Sequence, residues 1–200
     1  MAPGADARRA TAARAASEII RWLDAGERVA FITLGDPNVY STFSAIADEV
    51  RQARPAVPIE TVPGIMAFQD LAARTGTVLL DGAQTLTLVT ALNGPGDAAA
   101  ALADPTRAVV VYKGGRHVPG LAKALADVGR LHDAVLGELL GLPGQQVTAL
   151  APVADRPASY LATVIVPPAT PGATAGDGEP TEPGPGAGGG GGVSVHGLDR

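Results

Sequence analysis

The sequence predicts an α/β fold, and three observations support that class. Short apolar runs alternate along the chain with segments in which apolar residues recur at helical spacing. The apolar runs are continuous, which is typical of strands buried on both faces of a parallel sheet. Hydrophobic residues make up 46% of the 200 residues and charged residues 18%, which is enough apolar material for a buried core.

The first half of the chain predicts three helices and two short strands. The helices show apolar residues on one side, and the strands are apolar runs that end in turns rich in glycine and proline. We expect helices at residues 12–24, 43–50 and 65–74, and strands at 29–34 and 59–62.

The second half predicts five strands and two helices. We expect strands at 85–91, 108–112, 134–139, 147–150 and 160–166, and helices at 97–103 and 118–128. A largely parallel sheet follows from the alternation of strand and helix. The last strands come without helices between them, so the sheet is expected to end antiparallel.

Composition separates a body (1–166) from a tail rich in glycine and proline (167–200). Because such a tail buries little apolar surface, it is predicted to be disordered.

Several classes of function are excluded by composition. The chain has no cysteine, which excludes a disulfide scaffold, a thiol nucleophile and a cysteine-ligated metal site. A net charge of −5 gives no electrostatic case for nucleic acid. The sequence shows neither a membrane-spanning run of about 18 apolar residues nor a secretory signal, and we expect a cytoplasmic protein without a membrane partner.

Local motifs give little support for other chemistry. The histidines lack acidic partners at metal-ligand spacing, so no metal site is predicted. The turn at 93–97 fits a dinucleotide fingerprint in its glycines, but the next strand ends at Tyr112 and is followed by Lys113 instead of an acid, which favours a simple tight turn. Lys113 and Arg116 flank two glycines, an arrangement that suits carboxylate or phosphate groups and equally suits a solvated turn. His117 follows at the same end of the strand and could contact a ligand or lie on the surface.

Four stretches together resemble the tetrapyrrole methylase family. They are VAFITLGDPNVYSTF (29–43), ETVPGIMAFQDLAARTG (60–76), VVVYKGGRH (109–117) and GELLGLPGQQV (137–147), and the resemblance extends over residues 12–166. The first stretch is most similar to the branch that methylates carbon 20 of precorrin-2 or cobalt-factor II in cobalamin biosynthesis.

The resemblance implies two α/β domains with S-adenosylmethionine in the cleft between them, and a homodimer. In this chain, the two would be a partial N-terminal α/β domain (29–83), which follows an N-terminal helical region (1–28), and a C-terminal α/β domain (84–166). It implies a tetrapyrrole polycarboxylate as substrate, for which cationic candidates are Arg74, Arg116 and His117. Asp36 is suited to the cofactor's positive charge. No general base is identified. By matched position, the cofactor-binding residues are Leu34, Gly35, Asp36, Val39, Met66, Ala67, Lys113 and Leu140.

One feature of the family has no counterpart in this sequence. Members open with a strand and a G-x-G-P-G-D-P loop, and nothing before residue 29 matches either. We therefore expect a chain truncated at its N-terminus that lacks the first strand of the first domain. Two alternatives remain open: a sister methylase acting on another ring carbon, and a non-catalytic remnant that binds or dimerises without turnover.

Overall fold

A computed structural model describes residues 3–169, in which three helices precede a five-stranded sheet. The helices are α1 (Pro3–Asp24), α2 (Phe43–Ala53), α3 (Ala67–Thr75), α4 (Gly96–Leu102) and α5 (Val118–Asp127). The strands are β1 (Thr85–Thr90), β2 (Arg107–Tyr112), β3 (Val135–Glu138), β4 (Gln146–Ala149) and β5 (Ala162–Val166). The predicted α/β class is confirmed. Within residues 3–169, no helix combines the length and the apolar character needed to cross a bilayer.

The strand order of the sheet is β1-β2-β5-β3-β4. Strands β1 and β2 are parallel, whereas the pairs β2–β5, β5–β3 and β3–β4 are antiparallel. The expectation of a largely parallel sheet is therefore wrong, and the expectation of an antiparallel end is confirmed. A parallel neighbour needs a long crossover, usually a helix, and no α-helix follows α5 among the described residues.

Helices cover both faces of this sheet, which explains why its strands read as unbroken apolar runs. Val109, Val111 and Val164 belong to the core formed with α4 and α5. Val110 and Ile165 belong to the opposite core, which contains Phe68 and Leu71 of α3. Burial of each such side chain stabilises the fold by roughly 1.5–3 kcal/mol, so β2 and β5 anchor both layers.

Helices α1 and α2 pack against each other through a small apolar cluster. Ala12 and Ala16 of α1 contact Ile46 and Val50 of α2, and all four are buried. At one end of the pair, the Arg54 guanidinium donates to both carboxylate oxygens of Asp24, at 2.7 and 2.6 Å. These hydrogen bonds hold the pKa of the Asp24 carboxyl below its usual range.

The two strands predicted in the first half do not form. Residues 29–34 and 59–62 belong to no strand ladder, and Ile32 is 91% exposed and Val62 82% exposed. A strand requires a hydrogen-bonded neighbour, and none of the described strands lies beside either segment. Residues 3–24, before the first of them, are helical and supply no strand.

A buried arginine fixes the end of the sheet remote from these loops. Arg130 is 2% exposed, and its guanidinium donates four hydrogen bonds of 2.7–3.1 Å to backbone carbonyls. Burial lowers the pKa of Arg130, and the nearby carboxylates of Asp133 and Asp104 oppose that shift. The four acceptors are the carbonyls of Leu102, Asp104, Arg107 and Pro167.

The structure extends the folded part of the chain three residues into the predicted tail. The carbonyl of Pro167 accepts from Arg130, and the N–H of Ala169 donates to the Pro105 carbonyl at 2.8 Å. Residues 167–169 are therefore part of the folded unit, because Arg130 requires an acceptor there. The disorder predicted for the rest of the tail concerns residues outside the described range.

Candidate active site

A cleft of about 680 Å³ lies where the carboxyl ends of β2 and β3 meet the start of β5. Strand β5 runs antiparallel to both neighbours, and the register pairs Tyr112 with Thr163 and Glu138 with Ala162. The start of β5 therefore lies at the same edge of the sheet as the ends of β2 and β3. Residues 33–42 and the beginning of α3 form the remaining walls.

The cleft is lined by all eight residues that the resemblance assigns to the cofactor, although they come from four separate stretches of chain. That they hold a ligand stays a prediction. The eight are Leu34, Gly35, Asp36, Val39, Met66, Ala67, Lys113 and Leu140.

The three substrate candidates are not brought together. Arg74 lines the cleft, whereas Arg116 and His117 do not. Arg116 donates from Nε to His117 Nε2 at 3.0 Å and from Nη2 to the Leu92 carbonyl at 2.6 Å. These contacts tie the turn after β2 to the segment after β1. The turn at 93–97, which mimics a dinucleotide fingerprint, also lies outside the cleft and leads into α4.

Two glycine turns approach each other closely at Gly35, which lines the cleft, and Gly64. Gly35 has a φ of +70°, in the left-handed region that favours glycine. A Cβ on Gly64 would lie 2.3 Å from the Gly35 carbonyl oxygen, so only glycine permits this approach. The Asp36 carboxylate joins the turns, because it accepts N–H groups of Asn38 at 2.8 Å and Gly64 at 3.3 Å. Each carboxylate oxygen keeps a lone pair that a cation could use.

Three residues other than glycine have a positive φ among the described residues, and all three line the cleft. They are Tyr40 at 51°, Lys113 at 57° and Leu139 at 51°. Each such conformation costs on the order of 1–3 kcal/mol, and residues of this kind concentrate at functional sites. The surrounding contacts must therefore hold this part of the chain in place.

An aromatic pair forms one wall. The rings of Tyr40 and Tyr112 meet edge to face with centroids 5.9 Å apart. The Tyr112 hydroxyl accepts the N–H of Phe68 at 3.3 Å, and burial raises the pKa of this phenol. The hydroxyl accepts from Phe68 through its oxygen, so its own proton remains available for a second hydrogen bond.

The cleft combines both signs of charge with an apolar lining. Arg74 donates from Nε to Asp70 Oδ2 at 2.8 Å, and Lys113 donates from Nζ to the Tyr40 carbonyl at 2.9 Å. With Asp36, this gives two carboxylates and two cations around side chains such as Leu34. An organic ligand carrying both positive and negative groups fits such a site. Among residues 3–169, no cluster of His, Asp or Glu could hold a metal ion.

Sequence reasoning missed several residues of the cleft. Tyr40 and Tyr112 directly adjoin the predicted ligand residues Val39 and Lys113 in the sequence, and that adjacency could have indicated them. Tyr160 and Thr163 carried no signal, because only the antiparallel insertion of β5 beside β2 brings them to this edge.

Comparison with known proteins identifies the class to which this fold and cleft belong. Residues 1–154 match the model of the tetrapyrrole (corrin/porphyrin) methylases, which is most of the chain. The chain therefore belongs to the tetrapyrrole methylase family.

Two relatives illustrate its position within the family. A precorrin-2 C(20)-methyltransferase of Sinorhizobium sp is 35% identical over 152 residues, which cover 76% of this chain and 60% of the relative. A cobalt-precorrin-2 C(20)-methyltransferase of Salmonella typhimurium is 31% identical over 148 residues, covering 72% and 60% respectively. The chain thus spans 60% of the length of each of these relatives.

Solved structures agree with the fold. A cobalt precorrin-4 methyltransferase from cobalamin biosynthesis superposes with a TM-score of 0.60 at 19% identity, covering 76% of this chain and 69% of that one. The uroporphyrin-III-C-methyltransferase from Thermus thermophilus gives 0.55 at 20% identity, covering 77% and 70%. These likenesses establish the architecture and carry no information about substrate.

Proposed function

We propose that this chain binds S-adenosylmethionine in the cleft and acts as a methyltransferase on carbon 20 of precorrin-2 or cobalt-factor II in cobalamin biosynthesis. One observation carries the proposal: eight residues assigned to the cofactor by motif line a single cleft, although they come from four stretches of chain. The names of the two relatives favour carbon 20 as the position of methylation.

The residues present fit the proposed cofactor. The cleft has the size of a small-molecule site, and at Gly35 no side chain separates a ligand from the backbone. Asp36 retains acceptor capacity for a cationic group, since each of its oxygens accepts one N–H in the structure. Leu34, Met66 and Leu140 offer apolar surface to the uncharged parts of the molecule.

Little protein-derived acid–base machinery is needed for the reaction. When bound, S-adenosylmethionine supplies a methyl group on a sulfonium, which an electron-rich ring carbon can take directly. The task of the chain is to hold two reactants in attack geometry, an effect that can contribute roughly 7–11 kcal/mol to lowering the barrier. The hydrogen-bonded turns around Asp36 and the left-handed residues of the walls suit that task.

Arg74 is the proposed contact for a substrate carboxylate. Its Nε is bonded to Asp70, which orients the guanidinium and leaves its two terminal nitrogens for other acceptors. Planar guanidinium groups bind carboxylates through two parallel hydrogen bonds. Arg116 and His117 are the remaining candidates from sequence, and they are less favourably placed because they lie outside the cleft lining.

Two alternatives compete with this proposal. A sister methylase would use the same cofactor site on another ring carbon. A remnant that binds without turnover is favoured by the first half of the chain, where the apolar side chains of Ile32, Leu34 and Val62 are largely exposed. The cytoplasmic location and the homodimer stay predictions.

Calorimetry with S-adenosylhomocysteine tests the cofactor site, and a methyl-transfer assay with precorrin-2 tests the reaction. We expect binding by the native chain and its loss in Gly35→Val. Gly26→Val is the matched control, because Gly26 also has a positive φ, at 82°, but lies outside the cleft. If Gly35→Val binds S-adenosylhomocysteine as tightly as Gly26→Val and the native chain do, the proposed site is refuted. Binding without methyl transfer to any tetrapyrrole would favour the remnant.

A further inference from the structure

We infer that Tyr40 and Lys113 are positioning residues that clamp residues 35–42 against the sheet and so shape the cofactor side of the cleft. The inference rests on the proposed function for its purpose, while the clamp itself rests on contacts within the chain. It assigns to Lys113 a role toward Tyr40, in addition to any contact with a ligand.

The side chain of Tyr40 ties the loop to the edge of the sheet. Its hydroxyl donates to the Leu88 carbonyl at 2.9 Å. Strand β1, which contains Leu88, has β2 on one side and no strand on the other among the described residues. The hydroxyl of Tyr40 thus supplies a donor at an edge where no neighbouring strand does.

The backbone of Tyr40 is tied to the sheet by Lys113. The ammonium at the end of β2 donates to the Tyr40 carbonyl at 2.9 Å, across 73 positions of sequence. Both residues have left-handed φ angles, which tyrosine and lysine adopt only where their surroundings impose them. The hydrogen bond joins these two residues, so each helps to hold the other in its left-handed conformation.

A third contact extends the clamp to α3. The ring of Tyr40 meets the ring of Tyr112, whose hydroxyl accepts the N–H of Phe68 in the first turn of that helix. The loop, the end of β2 and the start of α3 are thereby linked through Tyr40. Since Gly35 and Val39 belong to the same loop, its displacement would change the cofactor side of the cleft.

Hydrogen exchange on the ligand-free protein tests the clamp independently of the cofactor. Lys113→Met removes the donor to the Tyr40 carbonyl, and Tyr40→Phe removes the donor to Leu88 while keeping the ring. We expect deuterium uptake by residues 35–42 to rise about threefold to tenfold in each variant, as the loss of one hydrogen bond would give. Lys113→Arg should restore protection. Lys123→Met is the matched control, because that exposed lysine pairs with Asp127 of its own helix, α5.

Affinity for S-adenosylhomocysteine, measured on the same variants, tests the purpose of the clamp. A loss of about threefold to tenfold in both variants, with unchanged melting temperature, supports positioning. Unchanged uptake in both variants would overturn the clamp. Raised uptake with unchanged affinity would overturn its role toward the cofactor. If the native chain fails to bind the probe, the proposed function fails, and the exchange result still decides whether the clamp exists.

Discussion

Replacement of Gly64 by alanine perturbs the candidate site at a single point. The φ of Gly64 lies outside the left-handed region, so alanine meets no conformational penalty of its own there. The added Cβ, however, would lie 2.3 Å from the carbonyl oxygen of Gly35 and 3.0 Å from its carbonyl carbon. Both atoms belong to the backbone, so no side-chain rotation can relieve the contact.

The expected cost follows from this geometry. An ordinary carbon–oxygen contact is about 3.3 Å or more, so the two turns must separate by roughly 1 Å. Such overpacking costs about 1–3 kcal/mol. The separation also strains the hydrogen bond from the Gly64 N–H to Asp36, which contributes about 0.5–1.5 kcal/mol. For a chain of this size, the melting temperature should fall on the order of 5–15 °C.

Thermal unfolding followed by circular dichroism is the primary assay, with S-adenosylhomocysteine affinity as the second. Gly96→Ala is the matched control, because a Cβ there meets nothing within 4 Å and the residue opens α4. The control should unfold like the native chain or slightly later, since alanine favours helix. A Gly64→Ala variant that matches the control in both assays would refute the backbone contact between the two turns.

Three further predictions concern stability. Arg130→Met should destabilise the fold by about 3–5 kcal/mol, because it leaves buried carbonyls without a donor. The control Arg51→Met, at an exposed position, should change the unfolding free energy by less than about 0.5 kcal/mol. Equal denaturation midpoints for the two variants would contradict the role of Arg130. A chain ending at Val166 should be less stable than one ending at Thr170 by roughly 1.5–3 kcal/mol, because it lacks the last carbonyl that Arg130 requires, and identical melting curves would show that residues 167–169 contribute nothing. Asp24→Asn should lower the melting temperature at neutral pH. Because the pKa of the Asp24 carboxyl is lowered in the folded state, the stability that it contributes is present above its unfolded-state pKa and is lost as pH falls through its folded-state pKa. A deficit that stays constant into strong acid would contradict that linkage.

The sequence determined the second half of the fold closely. Each apolar run from residue 85 onward became a strand within one or two residues of its expected limits. The central strands β2 and β5 are buried on both faces, which explains their continuous apolar sequence. It also identified nine of the residues that line the cleft, namely the eight assigned to the cofactor and Arg74. The motif GDPNVYS places a glycine at position 35, where φ is +70°, and that turn is a local requirement that the sequence records.

The first half shows where local pattern is insufficient. Residues 29–34 are as apolar as β2, yet they form no strand, because strand formation depends on a neighbour that the described chain does not place there. Burial is a property of the assembled layers. The apolar pattern specifies which residues could be buried, and only their packing partners decide whether they are.

Only the tertiary structure decided which distant segments meet to form the cleft. The antiparallel insertion of β5 between β2 and β3 brings Thr163 to the edge where Tyr112 ends its strand, and no local pattern encodes that neighbour. The bond between Lys113 and Tyr40 likewise joins residues 73 positions apart. Hydrophobic periodicity reports on contacts within a turn or a strand, whereas these contacts arise from strand order, which is fixed only when the whole sheet assembles.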